Sequence, residues 1–267
     1  MNRIVFIEGV SGVGKTTTVV ELADRLKACG YHVGIHLEGD AYSPLDLCWT
    51  AYLTKDEYSE LLARFPEYEE AFSTQIIDQD DYVLLRYRID RKPLFPESID
   101  TELHRREFCF NPESSISLSE FTRIFLRLWV RYVQANHENL DYELFDATLL
   151  SHMTNDLMRN YCATTDEMVQ HINTLIDSVQ SLRPQIYYLY TDNLEKRVTE
   201  ARIARKQPPL TAAQLQFWKD REKYDHRVIP KLRIGCEYIN VSNHNWETRI
   251  QNILEIIINQ NRATTMR

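Results

Sequence analysis

The sequence predicts an α/β protein, a parallel sheet with helices on both faces. Three observations carry that reading. Five short apolar segments alternate with segments of helical periodicity. The first of them runs straight into a glycine-rich turn and then a helix. No linker-like composition, internal repeat or low-complexity tract divides the chain, so residues 1–267 read as a single domain. Hydrophobic residues make up 43% of the chain, enough for a sizeable core.

The elements follow in order. Arg3-Ile4-Val5-Phe6-Ile7-Glu8 is short, apolar and β-branched, as a buried parallel strand is. Residues 17–29 read as a helix on Val20, Leu22, Ala23, Leu26 and Ala28, with Gly30 where a C-terminal cap belongs. Residues 31–37 form a second strand that ends at Glu38-Gly39-Asp40. A long insertion follows over 41–138, rich in Tyr, Arg and acids and punctuated by Pro44, Pro66, Pro93, Pro96 and Pro112. Helices are expected inside it over 56–62 and 117–135, the second on Phe121, Ile124, Phe125, Leu128 and Tyr132.

Residues 142–146 form a third strand. Thr164-Thr165-Asp166-Glu167 is a capping box that opens a helix to about residue 181. Residues 185–190 form a fourth strand, 194–205 a basic helix, and 211–223 begin another helix. Residues 236–241 form a fifth strand, and Asn245 caps a last helix with Ile250, Ile253, Leu254, Ile257 and Ile258 on its apolar face.

Composition excludes several classes of function. With 39 acidic against 31 basic residues and a net charge of -8, a nucleic-acid polymer is not the expected partner. No apolar run approaches the roughly 18 residues of a membrane span, and the first strand leaves no room for a signal peptide. A cytoplasmic location is expected, away from membranes. Five cysteines lie far apart with no C-x-x-C pair. They read as buried thiols in a reducing compartment, not as a disulfide frame or a zinc site. His32 and His36 fall on a buried strand, where structural roles are expected.

Gly9-Val10-Ser11-Gly12-Val13-Gly14-Lys15-Thr16 fits G-x-x-x-x-G-K-[ST] at every position. The chain has only 7 glycines, so a chance match is poor. Such a loop curls its backbone N–H groups inward on phosphate oxygens, and the helix N-terminus adds partial positive charge. Gly9, Ser11, Gly12, Val13, Gly14, Lys15, Thr16 and Thr17 are the expected nucleotide-binding residues. Lys15 would meet the β- and γ-phosphates, and the Thr16 hydroxyl would ligate magnesium. ATP and Mg2+ are therefore the expected cosubstrate and cofactor. The loop resembles the Walker A loop of the P-loop NTPase superfamily. That resemblance implies a three-layer fold with a five-stranded parallel sheet ordered 2-3-1-4-5, carrying a helical insertion and a basic lid.

Three features point within that superfamily to a small-molecule kinase. Glu38-Gly39-Asp40 ends the second strand, and ligands of open α/β sheets sit at the carboxyl ends of strands. It resembles the Asp-Gly-Asp of adenylylsulfate and gluconate kinases and the carboxylate of deoxynucleoside kinases. The resemblance makes Asp40 the catalytic base and Glu38 an acceptor-binding residue; the same acids would also cap an exposed turn. Lys196, Arg197, Arg202, Arg205 and Lys206 crowd one segment. That segment, 194–210, resembles the lid of thymidylate kinases, which makes Arg202 and Arg205 catalytic, with a solvated charged face as the alternative. The overall order of these parts resembles the nucleoside and nucleotide kinase group.

Asp146 ends an apolar strand and fits a weak Walker B pattern, as a second magnesium ligand or as a helix cap. Arg86, Arg88, Arg91 and Lys92, with Arg105 and Arg106, form a basic knot in the insertion. They would bind an anionic acceptor, or pair with Asp78, Asp80, Asp81 and Asp90. Arg159 is a further phosphate candidate or a surface ion-pair partner, and Arg123, Arg127 and Arg131 recur every four residues. Tyr42, Tyr52, Tyr82 and Tyr87 would stack on a ring-bearing acceptor or pack a core.

The reading that results is an ATP-dependent phosphotransferase that moves the γ-phosphoryl group to a hydroxyl or phosphate of a small molecule. The insertion would bind that molecule, a nucleoside, nucleotide or similar compound, and a homodimer is left open. Two other readings stay open: a regulatory ATPase or GTPase, and a nucleotide-binding module without transfer. The Asn-Lys-x-Asp guanine reader and the paired acids of motor ATPases are absent. So are the Glu-Arg-Ser of deoxynucleoside kinases, where Phe145-Asp146-Ala147-Thr148 stands, and the Asp-Arg-Tyr of thymidylate kinases.

Overall fold

The computed structural model describes residues 3–40, 42–111, 116–135, 139–243 and 245–265. The chain runs β1 (Arg3–Glu8), α1 (Lys15–Ala28), β2 (Val33–His36), β3 (Thr50–Thr54), α2 (Lys55–Arg64), α3 (Glu69–Thr74), β4 (Ile76–Gln79), β5 (Tyr82–Arg86), β6 (Arg88–Ile89), β7 (Lys92–Pro93), α4 (Glu97–His104) and α5 (Leu118–Gln134). It continues through β8 (Tyr142–Asp146), α6 (Ser151–Arg159), α7 (Thr165–Ser178), β9 (Gln185–Tyr190), α8 (Leu194–Ala204), α9 (Ala212–Val228), β10 (Cys236–Asn240) and α10 (Trp246–Thr265).

It divides into two compact units. The first, residues 1–38, 122–155 and 163–267, carries the main sheet. Its strands lie in the order β10-β9-β1-β8-β2, and every neighbouring pair is parallel. Counted as the sequence counts them, that is the expected 2-3-1-4-5. All six residues of β1 are buried, and alternation sends successive side chains to opposite faces. Val5 and Ile7 join Leu22 and Leu26 of α1 and Ile253 and Ile257 of α10 in one core. Phe6, pointing the other way, stacks on Trp129 of α5 at 5.7 Å, and Tyr132 meets Phe145 edge-on. The sheet is thus the middle of three layers.

β1, β8 and β9 have the bounds that their apolar runs predict. Gly30 does cap α1: it adopts φ 91°, its N–H donates to the Lys27 carbonyl, and that of Tyr31 donates to Leu26. This is the paired-bond ending that favours glycine. Thr164 and Glu167 make the expected reciprocal cap of α7. Helix α6 is absent from the sequence reading, because Ser151, His152, Thr154 and Asn155 are weak helix formers at its start.

The second unit comprises residues 39–121 and 156–162. The helix expected over 56–62 is there as α2, whereas the one expected over 117–135, α5, belongs from Thr122 on to the first unit. The second unit also holds an antiparallel sheet, β3-β5-β4, that the sequence reading does not contain. Its strands are four or five residues long, and β5 is buried at four successive positions, so no polar–apolar alternation announces it. Leu53, Leu61, Phe72, Val83, Leu85 and Phe95 form its core. The insertion's expected ends, Ala41 and Glu138, and Pro112 within it, lie outside the described residues.

Two smaller expectations need correction, and a third is narrowed. Of the cysteines only Cys109 is buried; Cys29 and Cys162 are exposed, Cys48 and Cys236 are half-buried, and all five are free thiols. His32 precedes β2 with its side chain 80% exposed, since the strand begins one residue later. Tyr52 stacks on Tyr82 at 5.6 Å, and Tyr82 and Tyr87 are buried. Tyr82 and Tyr87 are thus core residues, Tyr52 is half-buried against Tyr82, and Tyr42 alone of the four is exposed. Among the described residues no helix is long and apolar enough to cross a membrane.

Candidate functional site

The site grows from the carboxyl edge of the main sheet, where Ile7 of β1 stands in register with Asp146 at the end of β8. The chain leaves β1 through Gly9, Gly12 and Gly14, all with positive φ, and re-enters regular structure at Lys15. Two of these glycines are also required by their neighbours. A Cβ on Gly12 would lie 3.0 Å from the Cβ of Ala201 and 3.2 Å from the Arg197 carbonyl, so α8 rests on the loop. One on Gly14 would lie 2.2 Å from the Trp246 indole of α10. Val13 turns its side chain into the core, leaving only its backbone to line the loop.

Lys15 is 7% exposed, and its Nζ donates to the Val10 carbonyl at 3.2 Å, folded over the turn. The Thr16 hydroxyl donates to Asp146 Oδ2 at 2.5 Å. Asp146 is 1% exposed, and its Oδ1 is buried without a hydrogen-bond partner among the described residues. Burial pushes its carboxyl above the usual range, while the Lys15 charge and the Thr16 hydrogen bond pull it back. Glu38 stands close enough to act on it in both senses, by its charge and by its backbone N–H. A hydroxyl and an oriented carboxylate with a spare oxygen suit a hard cation such as magnesium.

Glu8 holds this edge together and was not singled out from the sequence, although an acid ending a buried strand before Gly9 is a legible signal. It is fully buried. Its Oε1 accepts the Leu149 N–H at 2.7 Å and its Oε2 the Ser151 N–H at 2.8 Å. Ser151 Oγ lies 2.8 Å from that Oε2 and 2.9 Å from the Gly9 carbonyl. The start of the glycine loop is thereby clipped to the turn after β8. Arg221, also fully buried, extends the clip: it donates to the Ser151 carbonyl at 2.9 Å and pairs with Asp225 at 3.0 Å.

The basic segment behaves unevenly. Arg202 donates from Nε to the Pro208 carbonyl at 2.7 Å, within its own turn, and Arg205 is the exposed C-cap of α8. Arg197 is the member whose backbone touches the glycine loop. Its side chain is 15% exposed, and its Nε is buried with no hydrogen-bond partner among the described residues. Arg249 of α10 is 5% exposed, lies 4.5 Å over the Trp246 ring and donates to the Asn243 carbonyl at 2.6 Å. Its Nε and Nη1 likewise lack partners among the described residues. Burial, and then the nearby Arg197 charge, hold its guanidinium below the usual value. Buried donors on two like charges call for an anion. Arg249 and Trp246 escaped the sequence reading because only folding brings the last helix to the first loop.

The remaining candidates lie in the second unit. Asp40 is half-buried, and its carboxylate accepts the Tyr42 N–H at 2.9 Å, a turn-capping contact. Arg86 lies 5.4 Å over the Tyr42 ring. Burial holds its guanidinium down, against the pull of Tyr42, Asp46 and Asp40, and its Nε has no hydrogen-bond partner among the described residues. Arg88 is committed to Asp100 through two bonds of 2.8 and 2.6 Å, a partner outside the four acids that its sequence neighbourhood offers. Arg159 is exposed at the end of α6. The structure therefore brings Lys15, Thr16, Asp146 and Glu38 together in one unit, and groups Asp40 with Arg86 in the other.

No family model matches the chain, and no curated protein matches it in sequence. Solved structures do. A gluconokinase from Sinorhizobium meliloti shares 12% identity over 97% of each chain, with a TM-score of 0.39. The YorR protein of Bacillus subtilis, crystallised in complex with phosphorylated GDP, shares 9% over 99% of this chain and 98% of that one, with a TM-score of 0.46. Thymidylate kinase from Candida albicans shares 13% over 98% of this chain and 92% of that one, with a TM-score of 0.44. Likeness at these levels decides neither substrate nor mechanism. What defines the chain is its own geometry: a parallel 2-3-1-4-5 sheet with a glycine-rich loop between its central strand and first helix.

Proposed function

We propose that this protein is a phosphotransferase that moves the γ-phosphoryl group of ATP to a hydroxyl or phosphate of a small molecule. The observation that carries the reading is the Lys15–Thr16–Asp146 constellation under the glycine loop. The loop's N–H groups and Lys15 would hold the β- and γ-phosphates. Thr16 and Asp146 would hold magnesium, which when bound neutralises charge on the transferring group. Arg197 and Arg249 would take further phosphate oxygens with the donors that are buried without a hydrogen-bond partner among the described residues. Asp40 would accept the proton of the attacking hydroxyl, with Glu38 beside Asp146 as the other carboxylate for that task. Arg86, near Asp40 in the same unit, suits an anionic or ring-bearing acceptor such as a nucleoside or nucleotide.

The test is a screen of nucleosides, nucleotides and other hydroxylated compounds with ATP labelled at the γ-phosphate, with the Lys15→Ala protein as control. Label should appear on an acceptor with the wild type and fall by roughly 10³-fold or more with Lys15→Ala. Label released only as phosphate would favour an ATPase switch. A folded Lys15→Ala protein with unchanged turnover and ATP affinity would remove the reading.

A further inference from the structure

Arg221 and Asp225, one turn apart on α9, are a fully buried ion pair. Stability alone does not account for such a pair. Desolvation offsets the attraction, and apolar side chains of similar volume hold a fold as well or better. What sets this pair apart is where its bonds go. Arg221 donates from Nε to Asp225 Oδ1 at 3.0 Å, and from Nη1 to the Ser151 carbonyl at 2.9 Å and Asn155 Oδ1 at 2.8 Å. The Tyr188 hydroxyl of β9 donates to Asp225 Oδ2 at 2.7 Å and fixes the carboxylate from the sheet. A planar fork meets these acceptors together, which an ammonium group on a flexible stem does not do. Ser151 closes the turn that Asp146 opens, and that turn is strained. Ala147 holds φ 63°, a left-handed conformation that a residue other than glycine keeps only where its surroundings impose it. Bonds impose it from two directions. From β1, the Ile7 carbonyl accepts the Ala147 N–H at 3.0 Å, and Glu8 accepts the N–H groups of Leu149 and Ser151. From α9, Arg221 donates to the Ser151 carbonyl. Ser151 Oγ in turn reaches the Gly9 carbonyl. All these residues belong to the first unit.

Given the phosphotransferase reading, on which this inference rests, we propose that Arg221 is a positioning residue for the donor site. It holds the turn from Asp146 to Ser151, and through Ser151 the start of the glycine loop, in the arrangement that binds magnesium and a nucleoside triphosphate. One guanidinium thereby braces both sides of the site: the carboxylate that meets Thr16 and the loop that would close on the phosphates. Arg221 touches neither ligand. It acts through Ser151, as outer partners act through the groups that they orient. Arg221 lies 70 residues from Ser151 along the chain, so no spacing in the sequence singles it out.

Arg221→Met alone would leave Asp225 as an unpaired buried charge. The variant to test therefore combines Arg221→Met with Asp225→Asn, which removes both charges and keeps an oxygen for Tyr188. Binding of a non-hydrolysable ATP analogue with magnesium is measured by calorimetry on the full-length proteins, at a temperature where circular dichroism shows each of them folded. The double variant should bind the analogue roughly 10–100-fold more weakly than the wild type. Arg221→Lys, which keeps the charge and a donor, should fall between the two. Thr164→Ala is the control for stability alone: it removes the α7 cap in the same unit, and should lower the urea midpoint while leaving analogue binding unchanged. Ser151→Ala removes the hydroxyl link to Glu8 and Gly9 and should also weaken binding. Added to the double variant, it should weaken binding by less than the product of the separate effects, because both act through one turn. Unchanged analogue binding in the folded double variant, or effects that simply multiply, would overturn the proposal and leave the phosphotransferase reading standing. A wild type that binds no analogue would overturn both. Where the double variant does not fold, Arg221→Lys decides: wild-type affinity overturns the proposal, and a loss larger than that of Thr164→Ala supports it.

Discussion

In the proposed phosphotransferase, Asp146 is the residue on which magnesium binding would turn. One of its oxygens is engaged by Thr16 and the other is buried without a hydrogen-bond partner among the described residues, an arrangement that a cation would complete. Asp146→Asn keeps the size and the Thr16 contact but removes the charge. The magnesium concentration for half-maximal activity should rise by about 10–100-fold, with ATP-independent folding unchanged; titration of activity with magnesium checks this. An unchanged requirement would reduce Asp146 to a helix-loop cap. Arg197 makes the second residue-scale case. Its backbone supports Gly12 and its Nε has no protein partner among the described residues, whereas Arg202 already serves Pro208. Arg197→Ala should lower kcat by roughly 10³-fold, and Arg202→Ala by far less. If steady-state kinetics returned the reverse order, the phosphate-binding role would move back along α8 to Arg202.

At the scale of elements, the helices that cover the sheet are tied to it by buried polar contacts as well as by apolar faces. His171 of α7 is 2% exposed, and its Nδ1 lies 2.8 Å from the Thr122 hydroxyl of α5. Burial holds its imidazole down at about 3, against 6.5 for a free histidine. The sign follows. A base whose folded value is depressed is neutral in the folded chain and charges in the unfolded chain as soon as pH falls below 6.5. The stability it contributes is full above that value and is lost as pH falls, by about 1.4 kcal/mol per unit, until pH reaches the folded value. His171→Gln can keep the Thr122 hydrogen bond and does not titrate. Urea unfolding of both proteins between pH 5 and 8 should show the wild type losing stability relative to His171→Gln by about 2 kcal/mol at pH 5. Parallel pH profiles would mean that His171 is solvated enough to charge in the folded state.

At the scale of the whole molecule, what could be read from the sequence was what depends on neighbours along the chain. The three inner strands of the main sheet, β1, β8 and β9, are buried and therefore spell mostly apolar runs, so they have the bounds expected of them. Gly9 to Thr16 is legible because the phosphate binding proposed for it would demand fixed residue types at fixed spacing. The Thr164 and Gly30 caps are legible for the same local reason. What depends on distant segments was not. The β3-β5-β4 sheet, the Trp246–Arg249 stack against the first loop and the Glu8 clip to Ser151 all join residues far apart in sequence. Arg88 shows the limit at one position: several acids lie near it in sequence, and folding gives it Asp100.

The division into two units makes a last prediction about how function is distributed. Lys15, Thr16, Asp146 and Arg197 belong to the unit with the parallel sheet, and Asp40 and Arg86 to the other. If the first unit binds the donor and the second the acceptor, substitutions should sort by unit in their kinetic effect. Asp40→Asn keeps the Tyr42 turn contact and loses the base. It should leave the ATP dissociation constant within about twofold of wild type and lower transfer by roughly 10²–10⁴-fold. Arg86→Gln should raise the KM for the acceptor and leave ATP binding alone, because its guanidinium is held among Tyr42, Asp46 and Asp40. Lys15→Ala should weaken ATP binding and leave binding of the acceptor alone. Calorimetry with a non-hydrolysable ATP analogue and steady-state kinetics with the acceptor separate the two sets. Asp40→Asn at the wild-type rate would pass the base role to Glu38, whose charge already acts on Asp146, and would place donor and base on the same unit. Loss of ATP binding in Arg86→Gln would break the division itself, since a side chain of the acceptor unit would then be holding the donor.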